Sequence, residues 1–248
     1  MPKKSGIKPF PVRKVGFKNV AFIPARKGSK GLPEKNKKIF AGKPLIQWSI
    51  EQAAATKLFS HIIVSSDDDD ILQIAKDCKK LKVIPVERHA ELATDKADMD
   101  DVLYDFFGRP ENKCDNICLL PPTSPLRLPE DIIKMHKFLK FKKYWTVVSV
   151  KWCDFIGWVG NPTSKGPLPT YNVENRPGRQ SRDDFFLENG SIYWFKSEVF
   201  KAYGHMIANY LRVKLYEMPA ERSLEIDTPF DFYLAERAHE YSSMEGSD

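Results

Sequence analysis

The chain has 248 residues, 42% of them apolar, and a formal net charge of +6. That is enough to bury the core of one large α/β domain, or of one domain with a modest insertion. No apolar run approaches the roughly 18 residues of a membrane span, and the basic start of the chain lacks the apolar stretch of a secretory leader.

Residues 1–18, with Pro2, Pro9 and Pro11, read as a loosely held basic tail, and residues 19–241 as a single domain. The pattern predicts a strand over Asn19–Ala25 and a helix over Pro44–Ala55, where Leu45, Trp48 and Gln52 share a face. A buried strand follows at His61–Ser66, then four aspartates and a helix from about Ile71 to Lys80. Leu81–Val86 reads as a strand, Ala97–Phe107 as a helix, Asn116–Leu120 as a strand and Glu130–Phe141 as a helix. Such alternation predicts an α/β fold with a mostly parallel, doubly wound sheet. In these sheets ligands sit beyond the C-terminal ends of the strands. After Trp145–Trp152 the rhythm breaks, and residues 153–184 read as a long insertion rich in Gly, Pro, Asn and Arg. Trp145, Trp152, Trp158 and the pair Phe155–Ile156 suggest a homodimer contact around this insertion, with a local mini-core as the alternative. Strands return at Ser191–Phe195 and Leu211–Glu217. A last helix runs from Pro229 to about Tyr241, with Thr228 as N-cap and Asp231 at N3, and 242–248 read as frayed.

The four cysteines form no C-x-x-C pair, and Cys114 and Cys118 fall in a predicted strand. This argues against a zinc site or a disulfide scaffold and favours a reducing cytoplasm. The positive charge is concentrated: Arg26, Lys27, Lys30, Lys35, Lys37 and Lys38 stand against Glu34 alone. No basic amphipathic helix, RNP motif or helix-turn-helix accompanies them, so a small polyphosphate is the expected partner, with no nucleic acid and no membrane.

The loop Arg26-Lys-Gly-Ser-Lys-Gly-Leu-Pro-Glu-Lys-Asn36 follows the first strand directly. Gly28 and Gly31 let backbone N–H groups approach an anion, and Arg26, Lys30 and Lys35 can neutralise phosphate charge. It is neither a Walker A loop nor G-x-G-x-x-G; a solvated basic turn is the alternative. Glu225 and Asp227 are two apart, so on extended chain both carboxylates point to one side, an arrangement that suits Mg²⁺. Carboxylates capping the next helix are the alternative. Asp67–Asp70 read as helix N-terminal charge, with a second metal site as the lesser option. Thr123 and Ser124 follow a buried strand, where hydroxyls can meet a ligand or merely lead into a helix. Asn189-Gly190 is, by itself, most often a turn.

The string IPARKGSKGLPEKN resembles the signature loop of the acylneuraminate cytidylyltransferases. Arg88-His-Ala-Glu-Leu-Ala93, Pro122-Thr-Ser-Pro-Leu-Arg127, Asn189-Gly-Ser-Ile-Tyr193 and Glu225-Ile-Asp-Thr-Pro229 resemble further segments of that family, in order, across residues 19–240. The resemblance implies a Rossmann-like nucleotidyltransferase domain over 19–241, working as a homodimer through the insertion. It implies CTP and an acidic nine-carbon sugar as substrates. Arg26, Ser29, Lys35 and Asn36 would hold the triphosphate and ribose, and Arg88 and Ala97 would lie near the cytosine. Asp227 with Glu225 would hold Mg²⁺. Arg179 and Gln180 would face the sugar acid, the Asn189 amide would reach the substrate, and Thr123 and Ser124 would meet the sugar. Arg26, Lys35 and Asp227 would be catalytic, aiding in-line attack of the sugar's anomeric hydroxyl on the α-phosphorus. Two positions depart from the family pattern, Pro121 where Gln is frequent and Met99 near the base; they suggest a modified nonulosonic acid of the pseudaminic or legionaminic type. Kdo activation is the nearest alternative, but Arg26-Lys-Gly-Ser-Lys-Gly-Leu-Pro33 differs from that family's R-L-x-S-x-R-L-P. A hexose-1-phosphate nucleotidyltransferase would carry G-G-x-G-x-R-[LM], which is missing. A non-catalytic nucleotide-binding protein would have lost Lys35, Asn36 or Asp227, and all three are present.

Overall fold

The computed structural model describes residues 17–78, 81–109, 112–154, 156–160, 166–176, 178–181 and 184–245. Seven strands form one sheet: β1 (Phe17–Pro24), β4 (His61–Ser66), β5 (Val83–Glu87), β6 (Cys114–Leu119), β7 (Thr146–Cys153), β10 (Phe185–Lys196) and β11 (Val213–Glu217). Their order is β11-β7-β10-β6-β1-β4-β5. All pairings are parallel except those of β10, which runs antiparallel to both neighbours. Two short hairpins stand apart, β2 (Ile39–Phe40) with β3 (Lys43–Pro44), and β8 (Trp158–Val159) with β9 (Leu168–Pro169).

The central strands are continuous apolar runs because both faces are covered. On one side Ala21, Ile23, Ile62, Val64 and Trp194 pack against α1 (Leu45–Ala55), α2 (Asp69–Asp77) and α4 (Pro129–Leu139). On the other, Val20, Phe22, Ile63, Ile117 and Phe195 meet α3 (Met99–Gly108) and α5 (Ser197–Tyr203). A third cluster joins Leu32 of the basic loop and Phe40 to Ile226, Phe232 and Ala235, where α6 (Pro229–Glu245) begins. This small core fixes the loop after β1 against the Glu225–Asp227 segment.

The elements follow the sequence pattern with two kinds of difference. The pairs β2–β3 and β8–β9 and the helix α5 carry no long periodic signal and went unread, and β10 begins at Phe185, ahead of the expected Ser191. The last helix continues to Glu245, one turn beyond Tyr241. Its start is as expected: Thr228 Oγ1 accepts from Asp231 N at 3.2 Å, and Asp231 Oδ2 accepts from Thr228 N at 2.7 Å. Trp145 does not belong to the insertion's aromatic group, because it stacks on Tyr203 and lies under Arg212. Phe155, like most of the tail, lies outside the described residues.

Candidate active site

The basic loop leaves β1 at Arg26 and is tied down at several points. Asn36 Nδ2 donates to Arg26 O at 3.0 Å, closing the loop on itself. Lys27 N donates to Asp67 Oδ1 at 2.8 Å. Lys37 Nζ lies 2.8 Å from Asp70, 3.2 Å from Asp68 and 3.2 Å from Glu34. The bond to Asp70, aided by those to Glu34 and Asp68, outweighs burial and raises the Lys37 pKa. The aspartate run therefore serves the α2 N-terminus, where Asp68 accepts from Asp70 N at 3.0 Å, and also anchors the loop. Among the described residues no group of three or more His, Cys, Asp or Glu is arranged to hold a metal.

Arg26, Ser29, Lys35, Asn36 and Arg88 line one cleft of about 490 Å³ together with Thr123, Glu225 and Asp227. Met99 and Pro121 line it too. Lys35 is buried, and its Nζ donates to Ile226 O at 2.7 Å and to Asp227 Oδ1 at 2.8 Å. Arg88 is also buried, donating from Nη2 to Ser65 O at 2.9 Å and from Nε to Ser65 Oγ at 3.2 Å. Burial pushes its pKa down to about 10, so it enters the cleft as a guanidinium with few partners of its own. Glu225 accepts from Thr123 Oγ1 at 3.4 Å, and burial followed by the charge of Asp227 raises its pKa. Two carboxylates side by side on the cleft wall are a donor set that a hard cation suits.

Two glycines make room for this segment, one against its backbone and one against a carboxylate. A Cβ on Gly31 would stand 2.3 Å from Asp227 O, and one on Gly190 would stand 2.7 Å from the Glu225 carboxylate. Gly190 also adopts φ +64°, inside the bulge where β10 shifts register between Glu188 and Tyr193.

The sugar-side expectations fare differently. The Asn189 amide does not reach the cleft. It is buried in that bulge, where Oδ1 accepts from Ser149 Oγ at 2.6 Å and Nδ2 donates to Ser223 Oγ at 2.9 Å. Its role is to satisfy a broken ladder, and the Asn-Gly pair forms a bulge rather than a hairpin turn. Ser124 is fully buried with an unpartnered Oγ and does not line the cleft. Ala97 is half-buried and also off the cleft wall. Gln180 is exposed on the short turn Arg179–Ser181, apart from the cleft, and the Arg179 side chain lies outside the described residues.

Arg127, quoted in the P-T-S-P-L-R string but given no role, is the organising residue under the cleft. It is 1% exposed and donates to Gln52 Oε1 at 3.0 Å, to Ser49 Oγ at 2.6 Å, and to the carbonyls of Pro121 and Ser191. Burial lowers its pKa to about 9. Asp95, also unread, pairs with Arg26 and Lys30 at the cleft mouth. A lone acid four residues before a helix carries no sequence signal for such a contact.

The sheet order with antiparallel β10, and a basic loop facing a carboxylate pair across the strand ends, define a nucleotidyltransferase-type α/β protein. Residues 20–242 match the family model described as "Cytidylyltransferase", and the chain belongs to that family. N-acylneuraminate cytidylyltransferase A of Danio rerio is 33% identical over 221 residues, covering 88% of this chain and 50% of that protein. The CMP-N,N'-diacetyllegionaminic acid synthase of Legionella pneumophila is 33% identical over 233 residues, covering 89% of this chain and 96% of the relative. The chain spans about half the length of several other curated relatives, among them an N-acylneuraminate cytidylyltransferase of Streptococcus agalactiae, 32% identical over 220 residues and covered to 52%. The resemblance carried by the five motifs is thus borne out. In fold, the chain is similar to a CMP:2-keto-3-deoxy-manno-octonic acid synthetase complexed with CTP (TM-score 0.66, 19% identity, 91% of this chain and 99% of that one). It is also similar to the 4-diphosphocytidyl-2C-methyl-D-erythritol synthase of Anaerococcus prevotii (TM-score 0.67, 12% identity, 90% and 96%). No helix among the described residues is long and apolar enough to cross a membrane.

Proposed function

We propose that the protein couples CTP to a nonulosonic acid of the sialic type, giving the CMP-sugar and pyrophosphate. The observation that carries this reading is the cleft in which Arg26, Ser29, Lys35 and Asn36 face Glu225 and Asp227. Cations on one wall and hard oxygen donors on the other are what a metal-bound triphosphate requires. The similarity to relatives named for N-acylneuraminate and for N,N'-diacetyllegionaminic acid supports a nine-carbon acid over Kdo. Met99 and Pro121 on the cleft wall favour a modified nonulosonic acid, since a proline offers neither a side-chain amide nor a backbone donor to sugar hydroxyls.

In this reading Arg26 and Lys35 neutralise the departing pyrophosphate, and Arg88 serves the base side. The sugar hydroxyl attacks the α-phosphorus in line, and rate comes chiefly from positioning and charge neutralisation. Asp227 and Glu225 would hold Mg²⁺, which supplies Lewis-acid polarisation of the phosphate when bound. Lys35 holds Asp227 in place through the 2.8 Å pair. The exposed Trp152, Trp158 and Leu187 of the insertion and its flanks form a homodimer contact in the same reading. Asp227→Asn keeps the shape and removes the charge. Mg²⁺-dependent pyrophosphate release should be lost while the far-UV spectrum and Tm stay near wild type; retained turnover would remove Asp227 from the metal site.

A further inference from the structure

Three cations of the cleft's basic loop, Arg26, Lys30 and Lys35, already have an acid partner, and the partners are of two kinds. Lys35 is buried and bonded to both Asp227 and the Ile226 carbonyl. That pair is built into the wall. Asp95 is different. Its Oδ1 lies 2.9 Å from Arg26 Nη2 and its Oδ2 lies 2.7 Å from Lys30 Nζ, so one carboxylate bridges two cations of the phosphate-binding loop. Asp95 and Lys30 are exposed, at 47% and 79%, and Arg26 is partly exposed at 35%. Exposed pairs are weak because solvent screens them, so a polyphosphate of higher charge can displace them. Asp95 also sits beside the main cleft rather than in it. It lines an adjoining hollow of about 330 Å³ with Thr94 and Gly28, and Arg26, Ser29 and Lys30 form the shared wall.

We propose that Asp95 is a displaceable counter-anion: it holds Arg26 and Lys30 in the empty cleft and yields them to the triphosphate, thereby setting nucleotide affinity. The inference rests on the reading of Arg26 as a triphosphate ligand. The carboxylate prevents Arg26 and Lys30 from repelling each other when no anion is bound, and its segment can recapture them as pyrophosphate departs. It is bounded by fixed points, Arg88 N on Ser66 O at 2.8 Å and the capping box of Asp98 with Asp101, so only the short stretch between them need shift.

The test is equilibrium binding of CTP and, separately, of inorganic tripolyphosphate to the wild-type chain, Asp95→Asn and Asp95→Glu, at low and high salt. Asp95→Asn should bind both ligands about threefold to tenfold more tightly, the gain shrinking at high salt, with Asp95→Glu within about twofold of wild type. Weaker or unchanged binding of both ligands by Asp95→Asn would mean that Asp95 orients the cations or is idle, and would overturn the proposal. Absence of CTP binding to the wild type would sink the nucleotide reading instead, and the tripolyphosphate arm then decides the role of Asp95. Absence of tripolyphosphate binding to all three proteins also overturns it.

Discussion

Gly31 and Gly190 come from distant parts of the chain and flank the same acidic segment. One is held against the Asp227 carbonyl and the other against the Glu225 carboxylate. Gly190 also serves the bulge through its positive φ, whereas Gly31 is required only by where the Asp227 backbone stands. Gly31→Ala forces the loop off Asp227, because an atom at 2.3 Å from a carbonyl oxygen is not tolerated. Turnover (kcat/KM) should fall by about 100-fold, since a displacement near an ångström is that costly to a positioned site, while Tm drops only a few degrees, about what a surface loop contributes. A Gly31→Ala protein with wild-type kcat/KM would contradict the arrangement. The sequence singled out Gly31, Lys35, Glu225 and Asp227 because glycines, cations and paired acids at strand ends have few structural uses. Asn189 is harder to read: a buried amide repairing a bulge and an amide reaching for a sugar look alike until the ladder around Ser149 is seen.

At the scale of elements, the segment between β6 and α4 is shaped by one buried guanidinium. Arg127 bonds the carbonyl of Pro121 in its own segment and that of Ser191 in β10, and leans on Gln52 and Ser49 of α1. Gln52 in turn donates to Pro125 O at 2.6 Å and to Arg127 O at 2.9 Å. Thr123, in the same segment, bonds the Ile226 amide at 2.8 Å, so Arg127 positions the cleft wall through the backbone. Lysine keeps the charge but lacks the planar fork. Arg127→Lys should cost about 3 kcal/mol, roughly 10 °C in Tm, and lower turnover with it. A Tm loss under about 2 °C would show that the network is dispensable. Strands and helices with long apolar periods were legible beforehand to within a few residues, except for the mostly exposed first half of β10, residues 185–190. The hairpin Ile39–Pro44 was not, because two-residue strands hold only through tertiary packing of Phe40 against Trp48 and Phe232. The tie between Asp67–Asp70 and the basic loop was also invisible, since the sequence shows the charges but not that they face each other.

For the whole molecule, the parallel half of the sheet places the Arg26 loop, Arg88 and Thr123 at neighbouring strand ends. Antiparallel β10 brings Gly190 beside Glu225 from the other half. That strand was legible as a strand but not in its direction, which depends on a long connection rather than on local pattern. The insertion and its C-terminal flank expose Trp158 at 55%, Leu168 at 69% and Leu187 at 46%, the apolar surface expected of an interface. Light scattering after gel filtration should therefore give twice the monomer mass, and the pair Trp158→Glu and Leu187→Glu should give the monomer. A monomeric wild type at micromolar concentration would remove the dimer from the account.

The central claim concerns the reaction, and pyrophosphate release tests it most directly. CTP and Mg²⁺ are held constant while N-acetylneuraminate, pseudaminic acid, legionaminic acid and Kdo are offered in turn. Release with a nonulosonic acid, absent without Mg²⁺ and absent when ATP replaces CTP, is the predicted result, with a pseudaminic or legionaminic acid preferred over N-acetylneuraminate. Release with Kdo alone, or with none of the four sugars while CTP binds, would contradict it.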